Sequence, residues 1–164
     1  MTGLRIGQGI DVHRFRVGRP LILCGHVIEG ETGLDGHSDA DVALHAVTDA
    51  IFGALARGDI GDHYSDLDEC WKGTDSSVFV AGALEMATAD GFSLINCDLT
   101  VVGDRPRIAP HRAALRASLA TILGLAEGLV SVKATSTEGL GFLGREEGLA
   151  AIAVVLMEGK SDDE

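Results

Sequence analysis

The sequence predicts an α+β fold: a single domain in which a mixed β-sheet carries helices packed on one face. Three observations predict it. Strand-like apolar segments alternate with helix-like ones along most of the 164 residues, the pattern of a layered α and β protein. A hairpin at the start, with room for another at the end, brings antiparallel neighbours into what would otherwise be a parallel sheet. Hydrophobic residues make up 46% of the chain but aromatics only 4%, against 22 glycines, so the core is built from Ala, Val, Leu and Ile with backbones in close approach.

Each element has its own signal. Leu4 to Asp11 roughly alternates and reads as the first strand. Leu21 to Cys24 and Val27-Ile28, on either side of Gly25-His26, read as a short hairpin. Ser38 or Asp39 stands where it can cap a helix whose apolar positions are Val42, Ala43, Ala46, Val47, Ala50, Ile51 and Leu55, ending near Gly58. Residues 59–74 are polar and acid-rich, a loop with a helical turn at most. A second helix runs from Ser76 or Ser77 to about Asp90, closed by Gly91. Leu94 to Val102 is a strand. Pro110 suits the first turn of a third helix that ends at Leu123 before Gly124. Leu129 to Ala134 and Leu149 to Met157 are the last strands, separated by a glycine-rich stretch. The domain is expected over residues 1–159, with 160–164 a frayed acidic tail.

Asp and Glu number 25 against 13 Lys and Arg, a net charge of -12 that repels phosphate backbones and argues against nucleic-acid binding. A small phosphorylated ligand is still compatible if local cations offset the field. Cys24, Cys70 and Cys97 form no CxxC pair and are expected to be small buried residues in a reducing compartment. No apolar run reaches membrane-spanning length and no signal peptide opens the chain, so a cytoplasmic protein without membrane contact is expected.

Asp11 and His13 share one face of a strand, and His45 stands four residues after Asp41 on a helix. One carboxylate and two imidazoles form a donor set that suits zinc better than magnesium and leaves a coordination position open. The same residues also suit capping and half-buried boundary positions. Asp59, Asp62, Asp66, Asp68 and Glu69 form either a solvated face or a set of acceptors for polyol hydroxyls. The run from Gly103 to His111 is either a proline-bounded turn or a cradle for a base or phosphate at a helix start. Thr135, Ser136 and Thr137 beside Glu138 are either a turn or a phosphate site with a carboxylate for a hard cation.

Taken in order, these segments closely resemble the 2-C-methyl-D-erythritol 2,4-cyclodiphosphate synthase family. The matching segments are Asp11-Val12-His13, the run from His37 to Ala46, Gly58 to Gly61, Lys133 to Glu138 and Gly141 to Arg145, and the likeness extends from Arg5 to about Glu158. The resemblance implies zinc on Asp11, His13 and His45, and a second ion, Mg²⁺ or Mn²⁺, at Glu138. It implies His37 and Ser136 as catalytic stabilisers, with Ser38 beside His37 at the phosphate end of the substrate. Asp59, Ile60, Gly61, Tyr64, Ser65, Asp66, Leu67 and Asp68 match segments that hold methylerythritol hydroxyls. Gly103, Asp104, Arg105, Pro106, Arg107, Ile108 and Ala109 match a cytidine pocket. Thr135, Ser136, Thr137 and Glu138 match the diphosphate segment, and Phe142 and Arg145 match further substrate contacts. Asp11, Val12 and His13 match substrate-side positions as well.

The implied activity is a phosphorus–oxygen lyase acting on a cytidine diphosphate-linked small molecule in non-mevalonate isoprenoid synthesis. The implied assembly is a homotrimer with sites shared between subunits. A zinc-dependent phosphohydrolase or a non-catalytic nucleotide-binding module would use the same residues. The chain departs from the family pattern in three places. Tyr64-Ser65-Asp66-Leu67-Asp68-Glu69 lacks two usual prolines, Arg107 replaces a common lysine, and Gly139 removes a frequent one.

Overall fold

A computed structural model of the protein describes residues 3–65 and 67–159. Asp66 and the tail 160–164 lie outside the described residues. The elements are β1 (Leu4–Arg14), β2 (Leu21–Leu23), β3 (His26–Ile28), α1 (Val42–Leu55), α2 (Ile60–His63), α3 (Ser77–Ala89), β4 (Phe92–Val102), α4 (Arg112–Leu123), β5 (Val130–Thr135), α5 (Gly141–Gly144) and β6 (Gly148–Gly159). The main sheet has the order β1-β6-β4-β5, and β2 and β3 pair separately. β6 is antiparallel to both β1 and β4, while β4 and β5 run parallel. The fold is therefore the expected single α+β domain with a mixed sheet. Among the described residues no helix is long and apolar enough to cross a membrane.

α1 lies at the centre of the molecule. Val42, Leu44, Val47, Ile51 and Phe52 are all buried, because the helix is covered by the sheet on one side and by α3 on the other. Its seat on the sheet depends on two glycines of β1. A Cβ on Gly9 would lie 2.0 Å from the Ala46 carbonyl oxygen, and one on Gly7 would lie 1.8 Å from that of Ala50. Only glycine admits a helix backbone this close. Gly9→Ala is expected to cost about 3 kcal/mol, since helix and strand must separate along their whole contact. Urea unfolding of the variant beside the wild type measures it.

The opposite face of the sheet stays open. Leu4, Ile6, Ile10, Val12 and Val154 project from it and are exposed, forming an apolar surface on a chain with few aromatics to cover it.

Four expectations need correction. The α1 cap is Asp41, whose carboxylate accepts from the N–H groups of Ala43 and Leu44; Ser38 and Asp39 are engaged elsewhere. Residues 59–74 hold α2 and a 3-10 turn at Glu69–Trp71, because Asp59, Asp62 and Asp68 serve as local caps. α4 starts at Arg112, after a turn closed by His111 N–H on the Ile108 carbonyl, so Pro110 precedes the helix. Cys24 and Cys97 are buried as expected, but Cys70 is exposed because it sits in that 3-10 turn.

Candidate metal centre and flanking cavities

The contact of α1 on β1 runs from Ala50 over Gly7 to Ala46 over Gly9. Two residues further along the same face of β1 come Asp11 and His13, which therefore meet the first turns of α1 and His45. Their donor atoms close a triangle. His13 Nε2 is 2.8 Å and His45 Nδ1 is 3.1 Å from Asp11 Oδ2, and the two nitrogens are 3.2 Å apart. Zinc bonds of about 2.0–2.1 Å at tetrahedral angles place donors about 3.3 Å from one another, so the triangle fits one such ion with a fourth position free. Among the described residues it is the only group of three His, Cys, Asp or Glu donors within mutual reach.

Each donor is held from behind. His13 Nδ1–H donates to the Asp35 carbonyl at 2.5 Å, which leaves the Nε2 lone pair facing inward. The Val12 N–H donates to Asp11 Oδ1 at 2.8 Å, and Oδ2 is left for the triangle. His45 Nε2 lies 3.0 Å from the hydroxyls of both Ser38 and Ser76. Burial by itself would raise the Asp11 carboxyl, yet the flanking His13 and His45 hold it well below the usual carboxylate range. Burial by itself would lower His13, but Asp11 lifts it above its ordinary value. Behind the site, desolvation pushes the wholly buried Asp41 up to about 6, although Gly25 N–H and the α1 N-terminus donate to it.

A cavity of about 360 Å³ opens beside the triangle. His13, Gly36, His37, Ser38 and His45 line one wall; Ile60, Gly61, Tyr64, Ser65, Trp71 and Phe79 line the other. The His37 loop is clamped by Arg19, which donates to the Gly36 carbonyl at 2.6 Å and the Ser38 carbonyl at 2.5 Å. His37 Nε2–H donates to the Asp68 carbonyl at 3.1 Å, which ties that loop to the acid-rich segment. Asp59 caps α2 and Leu67 is exposed, so neither lines the cavity.

A second cavity, about 510 Å³, lies between two other predicted segments. Gly103, Asp104, Pro106, Arg107, Ile108 and Ala109 face Thr135, Ser136 and Glu138 across it. Asp104 joins the two by accepting from the N–H groups of Thr137 and Gly139, each at 3.0 Å. Glu138 has φ 53, a left-handed turn in which Ser136 Oγ–H donates to its carboxylate at 3.0 Å. Arg105, Thr137, Phe142 and Arg145 stand apart from this cavity. Arg105 pairs with Glu31 and Glu146, each at 3.5 Å, and Arg145 with Glu147 at 2.7 Å. The Thr137 hydroxyl is turned to the Leu140 carbonyl. Phe142 and Val12 border a further recess at the end of β1.

The two cavities sit at the same end of the sheet but at opposite edges. Strand register aligns Val12 with Ala150, Ala150 with Val102, and Val102 with Thr135. Three strand spacings in the order β1-β6-β4-β5 separate Val12 from Thr135; at about 4.8 Å each, that is about 14 Å. Sequence reasoning missed Arg19, Trp71, Phe79 and the contact of Ser76 with His45. Of these only Ser76 carried a signal, and it read as a helix cap.

The chain matches the YgbB family model over residues 4–158. It is 54% identical over 159 residues to the 2-C-methyl-D-erythritol 2,4-cyclodiphosphate synthase of Shewanella sp. (strain W3-18-1), covering 97% of this chain and 99% of that one. It is 55% identical over 153 residues to the bifunctional enzyme IspD/IspF of Hyphomonas neptunium (strain ATCC 15444). That match covers 93% of this chain but 40% of the relative, so the chain spans less than half the length of the bifunctional protein. Its fold matches a solved 2C-methyl-D-erythritol-2,4-cyclodiphosphate synthase in its CDP-bound form with a TM-score of 0.85 at 40% identity, covering 93% of this chain and 99% of that one. With the family model matched over residues 4–158, a relative matched over nearly its full length and the same fold, the chain belongs to the YgbB family.

Proposed function

We propose that the chain converts 4-diphosphocytidyl-2-C-methyl-D-erythritol 2-phosphate to 2-C-methyl-D-erythritol 2,4-cyclodiphosphate and CMP. The observation that carries this reading is the Asp11–His13–His45 triangle at the mouth of the His37 cavity. An oxygen of the 2-phosphate attacks the β-phosphorus, the bond from that phosphorus to the bridging oxygen breaks, and that oxygen leaves on CMP. The attacking group is already anionic and tethered to its target, so no side chain needs to become a nucleophile. The remaining barrier is the approach of two anions, which positioning and charge neutralisation lower. Zinc held by Asp11, His13 and His45, and Mg²⁺ or Mn²⁺ held by Glu138, supply positive charge and Lewis acidity at the diphosphate.

The chain's own residues do the rest. His37, anchored on the Asp68 carbonyl, stands at the 2-phosphate end beside Ser38 and stabilises the developing charge. Ile60, Gly61, Tyr64 and Ser65 form the wall against which the erythritol hydroxyls are ordered. The Gly103 to Ala109 segment takes the cytidine, and Ser136 stabilises the reacting diphosphate from the segment that carries Glu138.

The active assembly is a homotrimer. Two features support it: the apolar sheet face with Ile6 and Ile10 uncovered, and the strand separation that keeps Asp11 and Glu138 of one chain from sharing one diphosphate. Ile10→Asp places a charge at the centre of that face and is expected to yield monomer in analytical ultracentrifugation, with activity lost but the helical spectrum retained.

The function is tested by incubating the purified protein with Zn²⁺, Mg²⁺ and the cytidyl substrate and following phosphorus NMR. The expected outcome is the cyclic diphosphate and CMP in equal amounts. Inorganic phosphate or a linear product in their place identifies a phosphohydrolase, and binding without turnover identifies a nucleotide-binding module.

A further inference from the structure

Behind His45, on the side away from Asp11 and His13, Asp39 of the loop before α1 meets Ser76, the residue before α3. Ser76 is fully buried. Its hydroxyl oxygen lies 2.5 Å from Asp39 Oδ1, 3.0 Å from His45 Nε2 and 3.2 Å from Ser38 Oγ. A carboxylate can only accept, so the single hydroxyl hydrogen of Ser76 goes to Asp39. The Ser76 N–H also donates to Asp39 Oδ2 at 3.1 Å, which makes the pairing two-pointed. With its hydrogen spent, Ser76 Oγ is an acceptor towards both other neighbours. It takes the Nε2–H of His45 and the hydroxyl hydrogen of Ser38, whose oxygen accepts in turn from the Ala40 N–H at 3.1 Å. A His45 without the Nε2 hydrogen would set its lone pair against that of Ser76 at 3.0 Å and could be satisfied only by the Ser38 hydroxyl, also at 3.0 Å, at the loss of the Ser38–Ser76 hydrogen bond. A neutral imidazole protonated at Nε2 keeps its lone pair at Nδ1, the atom that faces Asp11 and His13.

We propose that Asp39, acting through Ser76, is a positioning residue that fixes the Nε2–H form of His45 and so presents Nδ1 to the metal. The inference rests on reading the triangle as a metal centre. Carboxylate, hydroxyl and imidazole form a line that sets the plane of the ligating ring. Loss of such an outer partner weakens metal affinity about 10- to 100-fold.

The test measures zinc dissociation constants by chelator competition for the wild type, Ser76→Ala, Asp39→Asn and the double variant, each checked for folding by circular dichroism. Each single change is expected to weaken zinc about 10- to 100-fold and to shift the visible spectrum of the Co²⁺-loaded protein. The double variant is expected to be no weaker than Ser76→Ala, because the hydroxyl is the path by which Asp39 reaches His45. Wild-type affinity and an unchanged Co²⁺ spectrum in Ser76→Ala overturn the proposal, as does a double variant whose losses add. Should Ser76→Ala not fold, long-range ¹⁵N–¹H spectra of the zinc-loaded wild type decide. Hydrogen on His45 Nε2 supports the assignment, and hydrogen on Nδ1 overturns it. His45→Ala is measured alongside. If it retains zinc, the metal reading itself fails; if it loses zinc while Ser76→Ala keeps it, only the relay fails.

Discussion

His45→Ala is expected to abolish tight zinc binding and to lower kcat/KM on the order of 10³-fold or more, about 4 kcal/mol of transition-state stabilisation. The helix survives the change. Alanine is the best helix former, and the hydrophobic packing of α1 comes from Val42, Leu44, Val47, Ile51 and Phe52. What disappears is one corner of a triangle with edges of 2.8, 3.1 and 3.2 Å, leaving an Asp–His pair that cannot hold zinc against competing chelators. The loss must show in two independent measurements. Metal analysis of the purified variant is expected to find no zinc, and adding zinc is expected to leave its melting temperature unchanged. In the wild type, zinc at 1,000 times its dissociation constant stabilises by about 4 kcal/mol. His37→Ala is the contrast: it keeps the triangle, so zinc content and the zinc-dependent melting shift stay as in the wild type while kcat falls. Zinc retained by His45→Ala at wild-type affinity would place the metal elsewhere.

Much of this site was legible before any coordinates, and the reason differs from residue to residue. Asp11 and His13 continue the period of β1 and take the face that Gly7 and Gly9 use to seat α1, so a two-residue spacing was enough. His45 could be placed on a helix by periodicity, but which turn of that helix meets β1 is decided by where the glycines let the backbones touch. The central place of β6 is foreshadowed by its near-continuous apolar run, which suits a strand with a neighbour on both edges. The acid-rich segment was harder. Asp59 and Asp68 have the composition of a solvated loop, and their role as caps emerges only with the turns they cap. Ser76 was least legible: its bond to His45 crosses 31 residues, and short-range patterns carry no information on such a pair. The separation of the two cavities was also invisible, because it follows from strand order and not from spacing along the chain.

That separation leads to the largest reversal of effect expected from this protein: two dead variants together make a live enzyme. His45→Ala removes one corner of the donor triangle and Glu138→Ala the carboxylate proposed for the second ion, and each alone is expected to be inactive. His45 lies on the helix seated over β1 and Glu138 follows β5, the two edge strands of one sheet, with β6 and β4 between them. In the proposed homotrimer each site is completed across an interface, the His45 side from one subunit and the Glu138 side from its neighbour. Mixed trimers then contain interfaces where the Glu138→Ala chain lends an intact His45 and the His45→Ala chain lends an intact Glu138. Each cyclic trimer that mixes the two chains has one such interface in three, so the isolated mixed species is expected to recover about a third of the wild-type activity. Co-expression of the two chains with different tags, followed by tandem purification, isolates the mixed species for assay. A third preparation sharpens the result: with Ile10→Asp in both chains, mixing is expected to restore nothing, because the face through which the subunits meet is charged. Failure of the first mixture to recover, with mixed trimers shown to form, would mean that each chain builds its site alone. In that case the turn carrying Glu138 would have to reach Asp11 across the end of its own sheet.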